Sequence, residues 1–303
     1  MPRVAHALVA LSLLLAGCAP PAKDAERPLR ITTTVSMLTD LVRTIGGERV
    51  IVHGLMGAGV DPHLYKPTIG DVAKLDDADL ILYIGLHLEG RMAELFHKMA
   101  RAGRPVIGVA EALNPERLIR TSEQSYDPHV WFDPLLWGEV ASAVADALSA
   151  ADPERRAFYQ RNAAIYQAQL GALDAHIRAR IAEIPAERRV LITAHDAFGY
   201  FGVRYGLEVI GLQGINTATE AGARDVQALA ELIAKRRIRS IFVETSVSPN
   251  TIRAVQAAAQ ARGWPVAIGG ALFSDALGDE GSPEGTYFGM MQHNVETIVE
   301  GLK

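Results

Sequence analysis

From Arg30 onward, short β-branched runs alternate with segments whose apolar residues recur at helical spacing. Arg30 to Val35 reads as a strand, and Ser36 is placed to cap a helix that runs to about Ile45 and stops at Gly46-Gly47. Val50 to Val52 resumes as strand, and Thr68 with Asp71 has the spacing of a capping box for the next helix. Leu80 to Ile84 is apolar throughout, as in a strand covered on both faces. A helix from about Gly90 to Ala102 stops at Gly103, and Pro105 to Val109 supplies a fourth strand. Alternation of this kind predicts a lobe with a mainly parallel sheet flanked by helices.

After Pro134 the helical period runs to about Ser149, with Asp133 as N-cap and Pro134 at the first helical position. Asp152-Pro153 opens another helix that continues to about Ile184, weakened only at Gly171. Some 30 residues of helix measure about 45 Å, too long for a crossover within one lobe. The segment therefore reads as a rigid strut between lobes, against the alternative of a two-helix hairpin broken near Gly171. A strut predicts a small lobe tilt on release of a ligand rather than a wide hinge.

A second lobe repeats the style of the first. Its strands are Val190 to Thr193, Leu207 to Ile210, Ser240 to Glu244 and Pro265 to Gly269, with helices over about Ala221 to Lys235, from Ser248-Pro249 to Gly263, and over Tyr287 to Leu302. The expected fold is α/β: two lobes, each with a small mainly parallel sheet flanked by helices, joined by one long rigid helix. The expected divisions are a leader over 1–18, a tether over 19–28, an N-terminal lobe over 29–134, connecting helices over 135–184 and a C-terminal lobe over 185–303.

Charge changes the picture mainly by exclusion. A net charge of −5, with no basic block longer than Lys235-Arg236-Arg237, argues against nucleic acid as a partner. The single cysteine is more informative. Cys18 follows Leu15-Ala16-Gly17 after Arg3 and an apolar run from Ala7 to Ala16 that is too short to span a bilayer as a mature helix. These residues resemble the lipobox of bacterial lipoproteins, which makes Cys18 the expected lipidation site and places the chain outside the cytoplasm on a bacterial membrane. Ala19 to Pro28, rich in Pro, Ala and charge, reads as the tether.

Ligands of open parallel sheets bind beyond the carboxyl ends of the strands. His63, His195 and Asp275 fall in segments that follow strands, and His129 lies between two Asp-Pro turns where the first lobe meets the connecting helices. All four can face one inter-lobe cleft, and three imidazoles with one carboxylate complete the shell of a d-block cation. Their wide spacing alone is a weak signal. His87 also follows a strand and competes on position, whereas His53 precedes its loop and His97, His176 and His293 fall on helices.

Four motifs narrow the choice. Asp61-Pro62-His63-Leu64-Tyr65-Lys66-Pro67, Asp127-Pro128-His129-Val130-Trp131-Phe132-Asp133-Pro134, Thr193-Ala194-His195-Asp196-Ala197-Phe198-Gly199-Tyr200-Phe201 and Leu272-Phe273-Ser274-Asp275-Ala276-Leu277-Gly278 resemble, in order, the metal-ligand motifs of the solute-binding proteins of zinc/manganese ABC importers. With Gly211-Leu212-Gln213-Gly214 and Glu220-Ala221-Gly222, the similarity is to the TroA-like branch and covers about Leu29 to the end. It implies that His63, His129, His195 and Asp275 bind one zinc or manganese ion as cargo, and that the protein is no enzyme. It also implies delivery to an ABC permease; the oligomeric state is left open with monomer as the default, and the membrane anchor is the lipid expected on Cys18. A His-rich loop of dedicated zinc relatives and a glutamate in place of His195, common in manganese relatives, are both missing, so the metal stays open with a lean to zinc on softness.

Glu244, at a strand end, is a candidate partner for the second nitrogen of a metal-bound histidine. Asp61 and Asp127 are expected to shape their turns, Trp131 and Phe132 to pack the cleft, and Asp76-Asp77-Ala78-Asp79 to form a solvated helix end. The competing functions are an extracytoplasmic zinc hydrolase with Asp275 as base, a surface adhesin, and a binder of an organic solute. Four protein ligands leave no evident open position for a reacting water, and no His-Glu-x-x-His helix is present.

Overall fold

Strand β1 (Leu29–Thr33) leads through α1 (Ser36–Gly46) to β2 (Val50–Gly54), and α2 (Ile69–Asp77), β3 (Leu80–Tyr83), α3 (Ala93–Arg101) and β4 (Val106–Gly108) follow. In this computed structural model, which describes residues 27–303, the four strands form one parallel sheet in the order β2-β1-β3-β4. The leader, Cys18 and most of the tether lie outside the described residues. The sheet forms because β3 buries every residue and β1 buries Ile31 to Thr33 between helix layers, the pattern of a covered parallel strand. Its register sets Thr33 opposite both Gly54 and Leu82, so the chain leaves β1, β2 and β3 at one edge.

Sequence capping rules hold at α2 and fail at α1. Thr68 accepts from the Asp71 N–H while Asp71 reaches back to the Thr68 N–H, a complete capping box. Ser36 is not a cap: Val35 is the N-cap residue, and the Ser36 hydroxyl accepts instead from the Leu277 N–H at 2.8 Å, far away in the chain. The acidic run also departs from expectation. Asp79 takes the Arg27 guanidinium and the Arg30 N–H, and Asp77 pairs with Arg30, so this helix end is tied to β1 rather than merely solvated.

A short hairpin, β5 (Arg120–Ser122) with β6 (Ser125–Tyr126), has no counterpart in the sequence reading. Beyond it the Asp133 carboxylate accepts from the Leu135 and Leu136 N–H groups and Pro134 opens α4 (Pro134–Ala151). The next helix, α5 (Arg156–Ile181), runs through Gly171 without a break. Its 26 residues make it about 39 Å long. It buries Tyr159, Tyr166, Leu170, Leu173 and Ile177, each worth about 1.5–3 kcal/mol when fully removed from water. It also reaches both halves of the molecule: Asn162 donates to Ile45 O, Arg180 pairs with Glu296, and Asp174 takes the Arg204 guanidinium.

The second half contains β7 (Val190–His195), α6 (Gly199–Tyr205), β8 (Glu208–Gln213), α7 (Ala223–Arg236), β9 (Ser240–Glu244), α8 (Asn250–Ala261), β10 (Ala267–Leu272) and α9 (Tyr287–Leu302). β7 pairs with β8 and β9 with β10, both parallel, and β7 lies beside β9. One apolar core runs from the first sheet through α4 and α5 into α9, while a smaller one lies under α7 and α8. The larger core therefore ties the first sheet and α9 to the same pair of connecting helices.

Candidate metal centre

His63 lies in the loop between β2 and α2, and His129 in the turn before α4. His195 is the last residue of β7 itself rather than part of the following loop, and Asp275 lies in the loop after β10. The fold brings all four together: one donor atom from each lies within 4.8 Å of the others, and all four residues are buried. The remaining candidates stay outside this group, and His53, His87, His97 and His176 are exposed.

The Nε2 atoms of the three histidines converge on one carboxylate. His195 Nε2 lies 3.2 Å and His63 Nε2 3.8 Å from Asp275 Oδ2, and His129 Nε2 lies 3.4 Å from Oδ1. None of these approaches has hydrogen-bond alignment, so three ring nitrogens and both carboxylate oxygens are buried without a partner. Leaving even one such atom unsatisfied costs about 1–3 kcal/mol. Ligands at about 2.0–2.2 Å around a tetrahedral ion would stand about 3.4 Å apart, close to the 3.2–3.8 Å between the three ring nitrogens and the Asp275 carboxylate.

The far nitrogens of two rings are held by carboxylates. Asp127 Oδ1 accepts from His129 N–H at 2.9 Å and lies 2.7 Å from Nδ1 of the same ring. Glu244 repeats this at His195, with Oε1 2.9 Å from the main-chain nitrogen and Oε2 2.6 Å from Nδ1. Such bonds fix Nδ1 as the protonated nitrogen and turn Nε2 to the cation. Glu244 is thus where the sequence reading put a partner, whereas Asp127 does more than shape its turn. A carboxylate two residues before a ligand is short enough to fold back on its ring, and the Asp-Pro-His tripeptide was the available signal. Gly199 makes room for it, since a Cβ there would stand 2.8 Å from Asp127 Oδ2.

Trp131 is fully buried, with its ring edge-on to His129 at 5.2 Å and its indole N–H on Ser274 O at 3.0 Å. It braces His129 against the segment carrying Asp275. Phe132 stacks on Phe198 at 4.3 Å, so both aromatics pack the cleft as the sequence suggested.

Burial drives the His63 imidazole down to about 3, despite the opposing charge of Asp275. Burial pulls His129 the same way, but Asp127 and Asp275 outweigh it and lift that ring to about 9. His195 is raised well above its usual value because Glu244 and Asp275 likewise overcome burial. Burial resists ionisation of Asp275, yet His195 and His129 hold it well below the usual carboxylate range. In the metal-free site the neighbouring carboxylates favour the protonated form of His129 and His195. The arrangement calls for positive charge at the centre.

Known proteins share this organisation. A family model described as zinc-uptake complex component A, periplasmic, matches residues 31–301. The zinc-binding protein TroA of Treponema pallidum is 51% identical over 284 residues, covering 92% of this chain and 91% of that protein. The manganese-binding lipoprotein MntA of Bacillus subtilis is 44% identical over 300 residues, 98% of each. The solved structure of the periplasmic zinc-binding protein TroA from Treponema pallidum superposes with a TM-score of 0.88 at 49% identity, over 91% of this chain and 99% of that one.

Proposed function

The chain belongs to the periplasmic zinc-uptake component A family, the solute-binding proteins of zinc and manganese ABC importers, and on that premise we propose how it handles its cargo. Proteins of this family are binding components, not enzymes. The chain captures one divalent transition metal through Nε2 of His63, His129 and His195 and the carboxylate of Asp275, then presents it to the permease of an ABC importer. The observation that carries the ligand assignment is the set of five buried donor atoms without partners, gathered around one point. Three imidazoles favour zinc over manganese on ligand softness and on the affinity order of divalent ions.

Residues 29–134 and 185–303 act as the two halves of the clamp, with 135–184 as the connection. The protein acts as a monomer, held by lipid on Cys18 at a bacterial membrane. No helix among the described residues is long and apolar enough to cross a membrane.

Metal content and competitive titration test this reading on the chain without residues up to Cys18. One tightly bound ion per chain is expected, zinc held more tightly than manganese, with at least about a thousandfold loss of affinity in His129→Ala and Asp275→Ala. That size follows from removing a ligand and stranding buried charge. Failure to bind either ion in stoichiometric amount overturns the proposal.

A further inference from the structure

The β8–α7 connection is mostly exposed, with Gly214, Asn216, Ala218, Thr219 and Glu220 all open to solvent. Thr217 breaks this pattern, being only 4% exposed. Burying one polar side chain of an otherwise solvated loop costs free energy unless its hydroxyl is bonded. That bond goes to Asp61 Oδ2, 156 residues away on the opposite half of the molecule. The other oxygen, Asp61 Oδ1, accepts from the His63 N–H at 2.8 Å. One carboxylate therefore links the second half's loop to the main chain of a metal-site histidine in the first half.

Among the described residues, neither carboxylate at the other two histidines makes such a link, although the His129 turn is tied to the second half through Trp131 on Ser274 O and Tyr200 on Asp127 O. Asp127 and Glu244 each hold the main-chain nitrogen and the ring nitrogen of a single histidine, whereas Asp61 divides its two oxygens between His63 and Thr217. Of the three rings, His63 also stands farthest from Asp275.

We infer that Thr217 is a positioning residue for metal retention: its hydroxyl, through Asp61, holds the His63 loop in the closed cleft, and its release frees His63 first. This rests on the metal-binding reading above. The ion leaves when the Thr217–Asp61 bond breaks and the segment from Gly57 to Pro67 swings out, while His129, His195 and Asp275 stay in place. Capture runs in the reverse order.

The test is zinc release from the loaded chain into excess chromogenic chelator by stopped flow, comparing wild type, Thr217→Val and Thr217→Ser. Valine keeps the shape and loses the hydroxyl; serine keeps the hydroxyl. A hydrogen bond to a carboxylate is strong enough to alter a rate about ten- to a hundredfold. Release from Thr217→Val is expected to be faster by that factor, with capture changed less than about twofold and Thr217→Ser close to wild type. Should the valine variant not fold, Thr217→Ala carries the same expectation. A release rate in Thr217→Val within about twofold of wild type overturns the inference, as does equal acceleration in the valine and serine variants. A wild-type chain that binds no zinc overturns the function itself, which is a different outcome from an ion held with no dependence on Thr217.

Discussion

Two Asp-Pro-His turns supply histidines of the buried four-residue cluster, and they share their local geometry. In each, the aspartate Oδ1 accepts from the histidine N–H two residues on, at 2.8 Å for His63 and 2.9 Å for His129. They differ in what else the carboxylate does. Asp127 turns the same oxygen to the His129 ring, while Asp61 sends its second oxygen to Thr217 across the cleft. One tripeptide thus produces a fixed imidazole in the first case and an imidazole tied to the position of another loop in the second. The turn is set locally; the use of its spare contacts is set by what the fold packs against it.

Neutralising each aspartate gives the largest separation between the two. Asp127→Asn removes the charge that orients and polarises a metal-binding ring and is expected to weaken metal affinity about 10- to 100-fold. Asp61→Asn keeps an oxygen for the His63 N–H and is expected to cost less than about tenfold, expressed as faster release rather than slower capture. Chelator-competition titrations with matched release rates would decide this. Equal losses in the two variants would mean that the turns are interchangeable and that the contrast drawn here is wrong.

Protons sharpen the same contrast. His129 is lifted to about 9 and His195 is raised well above its usual value by Glu244 and Asp275, whereas His63 is held near 3, so near neutral pH the metal-free site favours protons on His129 and His195 but not on His63. A cation needs all three Nε2 atoms free, so binding should expel about two protons per ion. Calorimetry in buffers of different ionisation enthalpy measures that number. The sign follows: affinity strengthens as pH rises toward 9 and weakens as it falls, by about a hundredfold per pH unit for two protons. In Asp127→Asn the count should drop to about one, while Asp61→Asn should leave it unchanged.

What could be read from the chain and what could not divides along the same line. The Thr68–Asp71 box, the Asp133-Pro134 helix start and the span of α9 depend on neighbours within a turn or two, and each stands where the sequence places it. The gathering of His63, His129, His195 and Asp275 was legible through the four family motifs, whereas position alone left His87 as a competitor because it too follows a strand. Ser36 and Thr217 were not legible. Their hydroxyls serve Leu277 and Asp61, partners that only the closed fold brings near, and a serine before a helix looks like a cap whichever partner it takes. The pairing of Asp77 and Asp79 with Arg30 and Arg27 was hidden for the same reason.

The smallest expected effect lies in the long helix that reaches both halves of the molecule. Gly171 sits exposed in the middle of α5, and a Cβ there would meet no atom within 4 Å. Gly171→Ala should therefore stabilise the chain by about 0.5–1 kcal/mol through lower backbone entropy in the unfolded state, a rise of about 1–4 °C in thermal midpoint. If release occurs by movement of the His63 loop against a stiff connection, stiffening that connection further leaves zinc release within about twofold of wild type. Slower release in Gly171→Ala would mean that α5 bends at this glycine when the cleft opens. The lobes would then part at the hinge, and the difference between the two Asp-Pro-His turns would follow release rather than govern it.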